Sequence, residues 1–251
     1  MSSSAQDKLI EARLTKDKLI VALDVPTAAE ARALVAALRD TVGMFKIGSQ
    51  LFTTAGPEIV KEIIESGASV FLDLKFHDIP VQVVGAARAA TQLGVSMFTV
   101  HASGGTEMMS RAAEVVTETA ARTGLARPRV VAVTVLTSVD SVTLSEIGIA
   151  SSPMEWVLRL ATLAAASGLD GVVASPLEAQ ALRSSLIKPG FLLVTPGVRP
   201  AGGPLDDQKR VTTPSAALRA GADYLVIGRP ITGAKDPLAA VQTILAELEN
   251  A

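Results

Sequence analysis

Residues 71–80 read FLDLKFHDIP. With Val70 in front, Phe71, Leu72 and Leu74 make the apolar run of a buried strand, which Asp73 and Lys75 interrupt two residues apart. Side chains alternate between the faces of a strand, so both charges leave the same face. A buried charge without a partner is strongly unfavourable, so the two must serve each other or a ligand. A structural ion pair is the plain reading of Asp-x-Lys. Asp78 shifts the balance toward chemistry, because it comes where the strand must give way to a loop. Asp78 ahead of Pro80 also has the form of a helix start, with Asp as N-cap and Pro in the first turn.

On the N-terminal side, a short helix is expected at Ala5–Leu14 and a buried strand, KLIVALD, at Lys18–Asp24. Thr27-Ala-Ala-Glu30 is a capping box, followed at helical spacing by Ala31, Leu34, Val35 and Leu38. Met44–Ile47 is a second strand carrying Lys46; Ile59, Val60, Ile63 and Ile64 form a helical stripe stopped by Gly67. On the C-terminal side come a helix from Pro80 to about Leu93, a strand Val95–His101, and a helix lined by Met108, Ala112, Val115 and Val116. A fifth strand, Arg129–Leu136, ends at Thr137, and a helix opened by Pro153 closes at Gly168. Gly171–Ala174, Phe191–Thr195 and Tyr224–Ile227 complete the strands; Ser175-Pro-Leu-Glu178 repeats the capping box, and Leu238, Val241, Leu245 and Leu248 mark the last helix.

No linker or composition shift divides this series. Alternating strands and helices over 251 residues predict an α/β fold, a single (β/α)8 TIM barrel spanning 1–251. The alternative, a doubly wound sheet, would carry a Gly-rich phosphate turn after its first strand, and Asp24-Val-Pro-Thr27 is no such turn.

Apolar residues make up 49% of the chain and aromatics only 3%, so the core must be built from Ala, Val, Leu and Ile, as where helices pack on a parallel sheet. A net charge of −2 with no basic run speaks against a nucleic-acid partner. The chain has no cysteine, which removes disulfides, thiolate nucleophiles and zinc–thiolate sites. MSSSAQDKLIEARL lacks the apolar core of a signal peptide and no apolar run would span a bilayer, so no membrane partner and a cytoplasmic location are expected.

Chemistry on a barrel sits at the C-terminal ends of its strands. Asp24, Lys46, Asp73 and Lys75 all fall at such ends, on three consecutive strands. Any one could belong to a salt bridge; four alternating charges around one rim point to a site in which each lysine stays charged beside a carboxylate. The rim offers few oxygen ligands to a metal, and His77 and His101, the two histidines, read as hydrogen-bonded scaffolding. A second cluster lies on the last two strands. Thr195-Pro-Gly-Val-Arg199 and Ile227-Gly228-Arg229 put glycines and arginines where barrels commonly hold phosphate. Between them the Gly- and Pro-rich stretch 199–213 has the length of a lid, which would let Gln208 fold over a phosphate; the alternative for Asp206, Asp207, Lys209 and Arg210 is a solvated charged loop.

These motifs together resemble the bacterial form of orotidine 5'-phosphate decarboxylase. The resemblance is carried by Asp24, Phe45–Gly48 (FKIG), Asp73–Pro80 (DLKFHDIP), Val133–Ser138 (VTVLTS), Thr195–Pro200 (TPGVRP), Asp206–Arg210 (DDQKR) and Ile227–Ile231 (IGRPI). It implies a cofactor-free and metal-free conversion of orotidine 5'-monophosphate to UMP and CO2 in pyrimidine synthesis. By that resemblance Lys75 delivers a proton to C6, and Asp73 sits against the substrate carboxylate. Lys46 and Asp78 complete the charge network, Asp78 being supplied by the second subunit of a homodimer. Asp24 and Lys46 hold the ribose, Thr137 the pyrimidine, and Arg199, Gln208, Gly228 and Arg229 the phosphate. One departure stands out: Val81 and Gln82 follow the DIP, where the family usually has a short polar pair such as Asn-Thr. Two other readings share parts of the pattern. A metal-dependent keto-hexulose-phosphate decarboxylase or aldolase of the same barrel group would bring a carboxylate on the second strand for Mg2+, where this chain has Lys46. A silent phosphosugar-binding barrel would have no need of two lysines and two aspartates in its rim.

Overall fold

Eight short runs rich in Val, Ile and Leu pair in parallel, each with the next in sequence, and close on themselves. The computed structural model describes residues 15–185, 190–200 and 212–249. The strands are β1 (Leu19–Ala22), β2 (Met44–Gly48), β3 (Val70–Phe76), β4 (Met97–His101), β5 (Arg129–Val133), β6 (Gly171–Val173), β7 (Leu192–Thr195) and β8 (Tyr224–Ile227). β8 pairs back onto β1, with Ile20 beside Val226. The architecture is the TIM barrel, and helices fill the strand connections. The expected helix at Ala5–Leu14 lies outside the described residues.

Local chemistry explains why the helices begin where they do. Thr27 is the N-cap of the helix Ala28–Leu38: its hydroxyl accepts the Glu30 N–H, and Ala31, Leu34, Val35 and Leu38 form the buried stripe. At Ser175 both halves of the capping box form, around a single 3-10 turn, Pro176–Glu178, that leads into the helix Ala179–Ser185. The helix after β3 starts at Pro80, but Asp78 is not its cap. Ile79 holds the N-cap position, and Asp78 Oδ1 accepts the Ile79 N–H at 2.7 Å. β5 is shorter than the apolar run suggests. It ends at Val133, and the chain bends away so that Leu136 is left 40% exposed.

Two apolar clusters divide the core. The larger lies between the strands and the surrounding helices. The smaller fills the barrel itself: Ile20, Ala22, Met44, Phe71, Met97, Val131, Val194 and Val226, with Val173 and Tyr224 packed against them. Alternation then dictates the next inward positions on the same strands. Two residues beyond Met44, Phe71 and Met97 stand Lys46, Asp73 and Thr99, facing the same interior nearer the C-terminal mouth.

One ladder is irregular. Phe71 pairs with Met97 and Leu72 with Phe98, but the next pair is Phe76 with Val100, so β3 carries two more residues than β4 across this interval. The surplus falls on Asp73–Lys75. Lys75 takes a left-handed backbone, φ 54°, the one non-glycine residue to do so among the described residues.

Candidate active site

A cavity of about 410 Å3 opens at the C-terminal ends of the strands, within the roughly 300–1,000 Å3 usual for small-molecule sites. Ala22, Phe71, Val173 and Val226 line its floor; Asp24, Lys46, Asp73 and Lys75 line one wall. Thr137, from the segment after β5, lines it too, as do Arg199 after β7 and Gly228 and Arg229 after β8. The structure thus brings eight of the sequence-predicted residues to one cavity: Asp24, Lys46, Asp73, Lys75, Thr137, Arg199, Gly228 and Arg229.

The charged wall is a chain of alternating signs. Lys46 Nζ lies 2.9 Å from Asp24 Oδ1 and 3.6 Å from Asp73 Oδ2, and Lys75 Nζ lies 2.8 Å from the same Asp73 oxygen. Asp24, with its side chain 54% exposed, ends the chain at the solvent side, while Lys46 and Asp73 are nearly closed off. Burial by itself would raise the pKa of Asp73. The charges of Lys46 and Lys75, helped by hydrogen bonds from Lys75 and Thr99, outweigh it and hold the carboxyl below its ordinary value. Asp73 is therefore an anion at neutral pH.

Gly48 makes room for this arrangement. A Cβ there would stand 3.1 Å from Lys46 Nζ and 3.4 Å from Asp24 Oδ1, so any side chain would press on the ion pair.

One predicted residue stands apart from the cavity. Asp78 is exposed and is not among the residues that line it. Gln208 lies outside the described residues, as does the rest of 201–211. The chain on either side of that stretch is tied together: Val198 bridges Thr212 in parallel fashion, and the Arg199 N–H donates to the Thr212 carbonyl at 3.0 Å. Val81 and Gln82 are exposed on the first turn of the helix Pro80–Gln92.

The structure also gathers groups that the sequence pattern did not single out. Thr99 donates its hydroxyl to Asp73 Oδ1 at 3.0 Å and accepts the Lys75 N–H at 2.8 Å. The signal was available: Thr99 is a hydroxyl at an inward position of an apolar strand beside the charged one. The histidines are not separate pieces of scaffolding. Their rings lie 5.3 Å apart, and His101 has its pKa lowered by burial, then by His77 and Lys75, against a smaller opposite effect of Asp73. Among the described residues no group of three or more His, Asp or Glu gathers that could hold a metal ion, and no helix is long and apolar enough to cross a membrane.

Residues 17–244 match the model of the orotidine 5'-phosphate decarboxylase / HUMPS family. The chain belongs to this family. Within it, the curated orotidine 5'-phosphate decarboxylase of Moorella thermoacetica is 55% identical over 235 residues, 93% of either chain. That of Halorhodospira halophila is 55% identical over 234 residues, 93% of this chain and 97% of its own. The crystal structure of orotidine 5'-phosphate decarboxylase from Lactobacillus acidophilus superposes with a TM-score of 0.81 at 39% identity, covering 93% of this chain and 99% of that one.

Proposed function

We infer that this chain decarboxylates orotidine 5'-phosphate to UMP and CO2, the family reaction of pyrimidine biosynthesis. The observation that carries the reading is the Asp24–Lys46–Asp73–Lys75 chain set in one wall of a cavity whose other walls present Arg199 and Arg229. A ligand that suits both is anionic at one end and reacts at the other.

The chemistry follows from that placement. Arg199 and Arg229 take the phosphate, Asp24 and Lys46 the ribose hydroxyls, and Thr137 the base. The substrate carboxylate then lies toward Asp73, and repulsion between the two anions is relieved as the carboxylate leaves as neutral CO2. The C6–carboxylate bond breaks with its electron pair left on C6, Lys75 gives that carbon a proton, and the lysine regains one from solvent. No electron sink is needed if the developing charge meets a preorganised ammonium, which is the largest contribution in sites of this kind. Phosphate binding far from the reacting carbon can be used to close the site around it.

UMP formation from orotidine 5'-phosphate, followed with and without EDTA, tests the assignment. Turnover insensitive to the chelator is expected. Turnover only with added Mg2+, or only on a keto-hexulose phosphate, would transfer the chain to the metal-dependent branch, which Lys46 on β2 argues against.

The working unit we propose is a homodimer in which Asp78 reaches the neighbour's site. What supports it is the position of Asp78 outside its own cavity, flanked by Ile79 and Val81, 61% and 57% exposed. Apolar side chains of that size beside a site are better covered than solvated. Co-expression of Lys75→Ala and Asp78→Ala subunits checks this. A hybrid dimer would hold one doubly damaged and one intact site, so random mixing returns about a quarter of wild-type activity. No activity from verified hybrids would assign Asp78 to its own subunit or to none.

A further inference from the structure

We propose that Thr99 is a positioning residue for the reaction, its one hydroxyl setting both the orientation of the Asp73 carboxylate and the backbone of Lys75. The inference rests on the reading of Asp73 and Lys75 as the reacting pair.

The ladder between β3 and β4 creates the need for such a residue. Between the Leu72–Phe98 and Phe76–Val100 pairs, β3 carries a surplus that β4 does not match. Backbone groups in such a bulge lose their regular strand partners. The Lys75 N–H is met instead by a side chain, Thr99 Oγ1, at 2.8 Å. Lys75 holds a left-handed conformation, φ 54°, which is unfavourable by about 1–2 kcal/mol for a residue with a Cβ. A backbone held there needs contacts that define it, and the Thr99 hydroxyl is one of them.

The same oxygen works on Asp73. Its proton goes to Asp73 Oδ1 at 3.0 Å, leaving Oδ2 to Lys75 Nζ at 2.8 Å and Lys46 Nζ at 3.6 Å. A hydroxyl carries one proton and two lone pairs, so it can donate to the carboxylate and accept from the amide at once. Thr99 is fully buried, and neighbouring inward positions are held by Met97 and Val131. Valine would fill this space with the same shape and no polar atom to desolvate, so the two hydrogen bonds are what a hydroxyl adds. The branched Cβ restricts χ1, and pairing of Thr99 with Val131 on β5 fixes its backbone. Asp73 and Lys75 are thereby referred to a rigid neighbouring strand, not only to each other.

Thr99→Val and Thr99→Ser separate this role from simple packing. With Thr99→Val, kcat should fall about 10- to 100-fold, the scale of a sub-ångström to 1 Å misplacement of reacting groups. KM for orotidine 5'-phosphate should stay within about threefold, because the phosphate-binding wall is untouched. The pH profile supplies a second readout. Asp73 is faced by Lys46 from β2, by Lys75 from its own strand and by Thr99 from β4, with His101 also within electrostatic reach. Removing one donor to its anion moves the acid limb of kcat/KM to higher pH. Thr99→Ser keeps the hydroxyl and should restore both kcat and the acid limb. If Thr99→Val fails to fold, Thr99→Cys, a near-isostere with only a weak donor, takes its place under the same criteria. Wild-type kcat and acid limb in the valine variant would overturn the proposal, as would a serine variant as damaged as the valine one. Lys75→Ala run alongside keeps the two levels apart. Near-normal turnover there rejects the reacting pair itself, whereas a severely impaired Lys75→Ala beside a normal Thr99→Val rejects Thr99 alone.

Discussion

Met44, Phe71 and Met97 face the inside of the barrel; Lys46, Asp73 and Thr99 face it two residues further along the same strands. A strand rises about 3.3 Å per residue, so the two rings lie roughly 7 Å apart. They are buried almost alike: Met44 at 7%, Phe71 at 1% and Met97 at 0%, against 8%, 9% and 0%. What differs is how that burial is tolerated. The lower ring needs only shape, because apolar surface removed from water is favourable whatever it touches. The upper ring is tolerated only because each polar atom has a specific partner, Asp24 and Asp73 for Lys46, two lysines and Thr99 for Asp73. Stability and reactivity are thus separated in this barrel by one step of strand alternation.

The largest effect should come from Lys75, which pairs with the upper ring through Asp73. Lys75→Ala is expected to lower turnover at least about 10^4-fold, since it removes both the acid and the charge beside the developing carbanion. The variant should stay folded and still bind UMP by calorimetry. Near-normal turnover would erase the distinction between the rings.

Met97→Ala is the matching cut in the lower ring, directly beneath Thr99. It should lose about 2–5 kcal/mol of stability in urea titrations, the usual range for truncating a buried methionine. The turnover of the protein that remains folded should fall far less than in Lys75→Ala. Equal losses of turnover would show that the lower ring also tunes the site.

Gly48→Ala probes the edge between ring and rim. The new methyl would meet Lys46 Nζ at 3.1 Å, and turnover should fall about tenfold, or 1.4 kcal/mol of barrier. The thermal midpoint should change little, because ammonium and carboxylate can shift toward the open mouth.

The smallest effect is a pH slope. His101 has a folded pKa below its ordinary value, so the unfolded chain takes up a proton first as pH falls. Stability contributed by the neutral ring is therefore present above about pH 6.5 and declines as pH drops from there to the folded pKa. Thermal midpoints of His101→Asn should be flatter than wild type over that window. Asp73, whose pKa is also depressed, gives a slope of the same sign at lower pH: its share is present above the ordinary carboxylate value and is lost only as pH falls below it.

Much of the barrel was legible in the sequence, because the signals are local. Strand and helix alternate with clear periods, Thr27 and Ser175 announce helix starts, and Asp24, Lys46, Asp73 and Lys75 each fall at a strand end. The places where pattern and structure part are those where distant segments decide. Leu136 has the look of more strand, yet β5 stops at Val133 because β6, its pairing partner, ends at Val173. Asp78 has the form of an N-cap, but its carboxylate turns to the adjacent N–H of Ile79 and leaves that position to Ile79.

Composition and spacing in this chain were enough to determine an eight-stranded α/β barrel and the residue types of its charged rim, since both depend on side-chain period and on the unfavourable burial of unpaired charge. Only the tertiary structure decided which oxygen of Asp73 meets which lysine, that His77 and His101 share one contact, and that Thr99 closes the gap in the ladder. Those depend on the register between β3 and β4 and on the surplus in β3 that leaves Lys75 left-handed. Register between strands brought together from separate parts of the chain is a property of their packing, and no local pattern encodes it.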